Sequence, residues 1–287
     1  MALISGGGAG HEPAHAAYVG PGLLTAAVSG NIFASPSVAQ ILESIKQCGG
    51  SAGTVMIIKN YTGDIFHFHS AAEKARALYG KRVEIVIVGD DVAVGRKKSG
   101  KVGRRGLAGT VLVHKILGAM SAAGKSIDDI VKMGRSVTDG LVTCGVAQGH
   151  VQIPGSSLAE EEKGVVSPEL ELGMGIHNEP GCVVLHDRPN IDTLLDTMLD
   201  YLEKNDDTDR SYVSFDGAES VVLLVNNLGA LSVLELNAIA NSCAKKLGAF
   251  PVKFNIRMLT KCSRGSRNPT RKSNLWHLYD KLGRVWL

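Results

Sequence analysis

Thr54-Val55-Met56-Ile57-Ile58 runs straight into Lys59-Asn60-Tyr61-Thr62-Gly63-Asp64, a short β-branched and apolar run that gives way to polar residues and glycine. A run of that length and composition reads as a buried strand, and it stops where a functional loop would start. Val83–Val88 repeats the pattern ahead of Asp90-Asp91, and Val221–Val225 repeats it ahead of Asn226-Asn227-Leu228-Gly229. Between these runs lie stretches with helical spacing. Ser70–Tyr79 is rich in alanine, Leu107–Met120 carries an apolar stripe, and Ile191–Leu202 sets Leu194, Leu195, Met198, Leu199 and Leu202 on one face. Alternating strands and helices predict an α/β fold with a mainly parallel sheet in the first half.

Pro154, Gly155, Ser156 and Ser157, followed by Glu160–Glu162 and Gly164, predict a linker or long surface loop. The boundary is placed there, giving a first domain over 1–152, a smaller second domain over 153–260 and a tail over 261–287. The tail holds seven Lys or Arg against Asp280, so it carries about +6 while the body, with 24 basic and 27 acidic residues, carries about −3. A mildly acidic body, in a chain with only 5% aromatics, argues against nucleic-acid binding. In the tail, Leu275, Leu278, Tyr279, Leu282, Val285 and Trp286 have the spacing of a short amphipathic helix. The five cysteines form no CxxC pair, and no apolar run approaches the ~20 residues of a membrane span, so a soluble cytoplasmic protein is expected. At the front, Leu3 and Ile4 read as the end of a strand feeding a glycine turn. That strand is too short for the centre of a sheet, so further residues are expected ahead of it.

Gly6-Gly7-Gly8-Ala9-Gly10-His11-Glu12-Pro13-Ala14-His15 is the most conspicuous segment. Consecutive glycines let backbone N–H groups approach an anion or a polar ligand, but neither a dinucleotide fingerprint nor a P-loop register fits. His11 to His15 spells H-E-x-x-H; Pro13 would break the helix that a zinc protease needs, and no third ligand has suitable spacing. No metal site is assigned. A tight turn needing no ligand remains the bland alternative for the glycines. Lys59 can donate to a hydroxyl or phosphate oxygen and Asp64 can accept a hydroxyl proton, although a solvated turn explains them equally well. Asp90-Asp91 suits a magnesium site or a cap, and the cap is favoured. His67 and His69, each flanked by phenylalanine, read as structural. His177 lies in the glycine-rich loop Gly173–Gly181 with little packing reason to be there, and a neutral imidazole can attack a carbonyl carbon. Asn226–Gly229 reads as a polar turn or a helix cap.

Taken together these segments resemble the dihydroxyacetone kinase family, specifically its substrate-binding part. The family's GGGSGHEP stands here as Gly6–Pro13 with Ala9 in place of serine; KNYTGD is intact at Lys59–Asp64; DDVAV stands at Asp90–Val94, GRRG at Gly103–Gly106 and NNLG at Asn226–Gly229; GIHGEPG stands as Gly175–Gly181 with Asn178 in place of a glycine. The resemblance covers roughly residues 2–260 and looks nearest to the ATP-using eukaryotic branch, triokinase/FMN cyclase. It implies a two-domain DhaK-like fold whose second α/β domain is incomplete. It also implies that His177 bonds covalently to the C2 carbonyl of dihydroxyacetone as a hemiaminal. Gly8, Ala9, Gly10 and His11 would contact the substrate, His11 and Asp64 would bind its hydroxyls and help deprotonate the attacking oxygen, and Lys59 would add a further bond. A tether of that kind removes translational freedom before phosphoryl transfer and rejects glycerol. The family pattern is left after about Thr260, so ATP and Mg²⁺ are expected on a missing domain or on a DhaL-like partner, with little turnover by this chain alone. Glyceraldehyde as a second substrate and a homodimer are further family expectations. A non-catalytic ketose-binding or regulatory protein is the alternative.

Overall fold

The computed structural model describes residues 1–100, 102–147, 169–203, 206–215, 218, 220–227, 231–248, 253–261 and 278–283. The chain divides into two compact units, Met1–Asp90 with Ser99–Leu141, and Asp91–Lys98 with Val142–Leu287. The break expected near residue 152 lies outside the described residues.

The first unit builds a four-stranded, wholly parallel sheet in the order β2-β1-β3-β4, from β1 (Ala2–Ala9), β2 (Ala26–Ile32), β3 (Thr54–Lys59) and β4 (Val83–Val88). Alternation along the strands sorts the side chains. Ile4, Met56 and Ile58 face α1 (Val38–Cys48) and α2 (Thr62–Tyr79), where they pack with Ile41, Ile45, Phe68, Ala71, Ala72 and Ala75. Leu3, Val55 and Ile57, at the intervening positions, are equally buried. After a single turn, α3 (Arg96–Ser99), come α4 (Thr110–Ala122) and α5 (Ile127–Asp139), which pack against β1, β3 and β4. A sheet buried on both faces explains why β3 reads as a continuous apolar run. Ser37 and Gln40 form a capping box at the start of α1, and Ser126 caps α5.

Two expectations are corrected. The front strand does not end at Ile4: β1 continues through the glycines to Ala9 and is an inner strand of its sheet. The glycines are there because β2 comes so close. A Cβ on Gly6 would stand 2.3 Å from the Val28 carbonyl oxygen, and one on Gly8 would stand 2.7 Å from the Ala34 nitrogen. Likewise α2 starts at Thr62 rather than Ser70, so the last three residues of the polar motif already form helix.

The second unit contains a six-stranded mixed sheet, ordered β7-β6-β5-β10-β8-β9. Its strands are β5 (Leu141–Ala147), β6 (Leu170–Leu172), β7 (Val183–Leu185), β8 (Ser220–Asn227), β9 (Lys253–Lys261) and β10 (Leu278–Gly283). The helices α6 (Ile191–Glu203) and α7 (Val233–Leu247) bury Leu194, Leu195, Met198, Leu236, Ile239 and Cys243 against Cys144, Leu172 and Leu223. In the tail, residues 278–283 form β10, antiparallel to β8, where the spacing of the sequence also allows a short helix. Backbone pairing with β8 outweighs the 3.6-residue spacing of the tail's apolar positions. Among the described residues no helix is long and apolar enough to cross a membrane.

Candidate functional site

In the first unit the polar residues gather at the C-terminal ends of β1 and β3, the edge at which open α/β sheets hold ligands. Pairing of β1 with β3 stops at Ser5 opposite Ile57, whereas pairing with β2 continues to Ala9 opposite Ile32. The glycine half of β1 therefore outruns β3. Gly6 and Gly8 turn towards β2 and the segment after it; Gly7 turns the other way. A Cβ on Gly7 would lie 3.5 Å from His11 Nε2, 3.6 Å from His15 Nε2 and 3.7 Å from Asp64 Oδ2. Two imidazoles and a carboxylate thus converge on one point.

Each arrives there for a local reason. Asp64 is 5% exposed and sits in the first turn of α2, where Tyr61 supplies no side-chain cap and the helix dipole favours an anion. His11 and His15 flank a turn over residues 12–15 that contains a cis Glu12–Pro13 bond, so the shared helical face of an H-E-x-x-H zinc site is not formed. Gly10 takes φ +103° where its Cβ would meet the Phe33 ring, and its N–H donates to the Glu12 carboxylate at 3.0 Å. Ala9 ends β1. Lys59, the last residue of β3, is 5% exposed. The 103–106 loop lies over it: a Cβ on Gly106 would stand 2.6 Å from Lys59 Cβ, and Asn60 Nδ2 donates to the Val102 and Arg104 carbonyls at 2.7 and 2.8 Å.

His15 has no role in the motif as read from the sequence, yet it is the most deeply set of the three, 3% exposed. Its Nδ1 lies 3.2 Å from Ser5 Oγ and 3.0 Å from Nε2 of the buried His114 on α4. Burial first, then the charge of Lys59 and the neighbouring His114 and His11, hold its pKa well below the ordinary imidazole value. The ring is neutral at pH 7.

In the second unit, β6 and β7 form an antiparallel hairpin whose loop carries His177. Gly173 (φ +78°) opens the loop where a Cβ would stand 2.3 Å from Ala93 Cβ. The Gly175 N–H donates to the Glu179 carbonyl at 2.9 Å, and Asn178 between them has φ +62°, a conformation that asparagine adopts more readily than most residues. The Glu179 carboxylate grips His177 twice, accepting from its backbone N–H at 2.8 Å and contacting ring Nδ1 at 3.0 Å. Burial alone would push this carboxyl up, but the hydrogen bonds from the ring and the N–H of His177 bring its pKa down to about 2. An ionised carboxylate only accepts, so Nδ1 carries a hydrogen and, in the neutral ring, Nε2 keeps a lone pair.

Other sequence candidates are structural. Asp90 accepts from the Leu107 and Gly109 N–H groups at 2.6 and 2.7 Å, tying down the loop before α4, and Asp91 accepts from the Ala93 N–H at 2.9 Å. His67 Nδ1 meets the Pro36 carbonyl and His69 Nδ1 the Ile65 carbonyl. Asn227 belongs to the end of β8 and bonds twice to the backbone of Leu231, while Ser232 caps α7; residues 228–230 lie outside the described residues. Among the described residues no group of three or more His, Cys, Asp or Glu is placed to hold a metal ion.

Polar strand ends and a carboxylate-oriented histidine are features that α/β proteins holding small polar ligands use. The particular family is shown by comparison. Residues 1–260 match the Dak1 domain, and the chain belongs to that family. It is 49% identical over 270 residues to a dihydroxyacetone kinase of Komagataella pastoris, covering 90% of this chain and 44% of the relative. It is 44% identical over 256 residues to the triokinase/FMN cyclase of Homo sapiens, covering 88% and 43%. The crystal structure of the dihydroxyacetone kinase of C. freundii superposes with a TM-score of 0.82 at 34% identity, over 100% of this chain and 48% of that one. The chain therefore spans less than half the length of each of these three proteins.

Proposed function

We propose that this chain binds dihydroxyacetone covalently through His177 and presents it for phosphorylation to dihydroxyacetone phosphate. Its membership of the Dak1 family and the kinases it resembles support the substrate class. The observation that carries the chemistry is the double grip of Glu179 on His177, which leaves Nε2 as the nucleophilic nitrogen. In the reaction, Nε2 bonds to C2 as the carbonyl π bond breaks. The oxygen gains a proton and Nδ1 gives one up, through Glu179 or solvent, so nothing leaves and the product is a neutral hemiaminal. His11 and Asp64 are assigned to the hydroxyls of the ligand, Asp64 as acceptor of the proton of the hydroxyl to be phosphorylated. Gly8, Ala9 and Gly10 are assigned as the backbone beside the ligand and Lys59 as a further donor.

ATP and Mg²⁺ are assigned to a domain or partner chain outside this sequence, and the cytoplasm to the setting. Glyceraldehyde, with an aldehyde in place of the ketone, suits the same nucleophile. The test uses dihydroxyacetone labelled with ¹³C at C2. On titration with the protein the labelled carbon is expected to move from the ketone to the tetrahedral region of the spectrum, and His177→Ala to abolish the move. A ketone signal that stays in place while the ligand binds would refute the covalent reading.

A further inference from the structure

The point beside Gly7 has room for a methyl: the nearest atoms, 3.5–3.7 Å away, are at ordinary contact distance, and all of them belong to the first unit. Two of the three lining groups, His11 and Asp64, already have roles under the proposed function. The third, His15 Nε2, is buried and has no hydrogen-bond partner among the described residues. A buried ring nitrogen left in that state is costly, and a ligand aimed at it removes the cost.

The protonation state of the nitrogen follows from its neighbours. Ser5 has one hydroxyl hydrogen and donates it to the Ile57 carbonyl at 2.6 Å. Its oxygen therefore meets His15 Nδ1 as an acceptor, which requires a hydrogen on Nδ1. In that tautomer the 3.0 Å contact with His114 Nε2 is a hydrogen bond only with the lone pair on the His114 nitrogen. A neutral imidazole with its hydrogen on Nδ1 presents a bare acceptor at Nε2. Ser5 and His114 thus hold the orientation of the ring, and the Ser5 contact argues for a lone pair on the nitrogen facing Gly7.

We propose that His15 is a further ligand-binding residue: its Nε2 accepts a hydrogen bond from a hydroxyl of a small polyhydroxy ligand seated beside Gly7. That the ligand is dihydroxyacetone rests on the function proposed above; the demand for a hydroxyl donor at this position does not. The assignment makes His15 a specificity determinant, since a ligand offering only an acceptor or a methyl at that point leaves Nε2 unsatisfied.

The test is ¹⁵N spectroscopy of the histidine rings in the whole chain, titrated with dihydroxyacetone and, separately, with glycerol, which has hydroxyls but no carbonyl. His15 Nε2 is expected in the unprotonated range and to shift with dihydroxyacetone; glycerol, which gains nothing from a tether, is expected to shift it only at much higher concentration. His15→Phe, which keeps the ring volume, is expected to weaken dihydroxyacetone binding by about tenfold, the scale of one lost hydrogen bond. It is also expected to shrink the preference for dihydroxyacetone over hydroxyacetone, which lacks one hydroxyl; a purely structural defect would weaken both alike. Gly7→Ala, with its methyl at the open point, is expected to block binding while the melting transition is kept. A protonated Nε2, or an Nε2 signal unmoved at dihydroxyacetone saturation, overturns the inference. Shifts at His15 without a tetrahedral carbon at C2 would support it and count against the His177 adduct alone.

Discussion

The neutral state of His15 ties stability to acid in a way that one substitution isolates. The folded protein holds the ring uncharged, because burial and the charge of Lys59 oppose protonation, whereas the unfolded chain protonates it near the ordinary value of 6.5. Below that value the unfolded state binds more protons than the folded one, so stability falls as pH falls and is recovered as pH rises to about 6.5. One group of this kind contributes about 1.4 kcal/mol per pH unit while it stays neutral in the fold. Between about pH 7.5 and about pH 5 the contribution amounts to about 2 kcal/mol, most of it below pH 6.5. His15→Phe removes that dependence, whatever it does to stability at neutral pH. Glu203, whose pKa burial raises to about 7 with help from Asp200, acts in the opposite sense, losing stability as pH rises, but it is common to both proteins and cancels in the difference. The assay is urea unfolding of wild type and variant across this pH range. The free-energy difference between them should shift by about 2 kcal/mol in favour of the variant as pH falls. Parallel profiles would refute the claim that His15 is held neutral by its surroundings.

Glu179→Gln keeps the shape of the second-unit loop but exchanges a carboxylate for a neutral amide at His177; adduct formation followed by mass spectrometry should slow by about tenfold or more. Gly6→Ala drives a methyl into the Val28 carbonyl, 2.3 Å from the added carbon, and should cost about 1–3 kcal/mol in urea unfolding. Gly7→Ala, one residue on, meets nothing closer than 3.5 Å and should fold like wild type. Asp90→Ala strands the Leu107 and Gly109 N–H groups, and loss of about 2–5 kcal/mol is expected in the same assay.

The parts of the fold legible in the sequence are those whose signal is local. Val83–Val88 is β4 with the bounds its composition suggests, and the spacing over Ile191–Leu202 becomes α6, because burial in a helix-covered core selects those side chains directly. The glycines of β1 hide a strand, since glycine disfavours strands, and the reason for it here is the close approach of backbone at Val28 and Ala34, too far along the sequence for a local pattern to carry. Thr62-Gly63-Asp64 reads as a turn because helix starts share turn chemistry, so the location of Asp64 in the first turn of α2 was hidden. The tail's spacing favours a helix, but pairing of β10 with β8 is a long-range event that no local pattern carries. Among the functional candidates, Asp64 and His11 stood out as motif residues and the structure brings them together around Gly7. His15 carries no signal of its own once the zinc signature fails, and Ser5 and His114 carry no motif; only the fold places all three together. Glu179 stood two residues from His177, and the acceptor-next-to-histidine pattern was the available signal.

The account's central claim is a bond from His177 to the substrate, and intact-protein mass spectrometry tests it most directly. Incubated with dihydroxyacetone and measured under gentle conditions, the wild-type chain should gain the mass of one whole substrate with no water lost, and the His177→Ala chain should gain none. A wild-type chain that melts cooperatively yet shows no added mass, or a His177→Ala chain that gains as much, would contradict it.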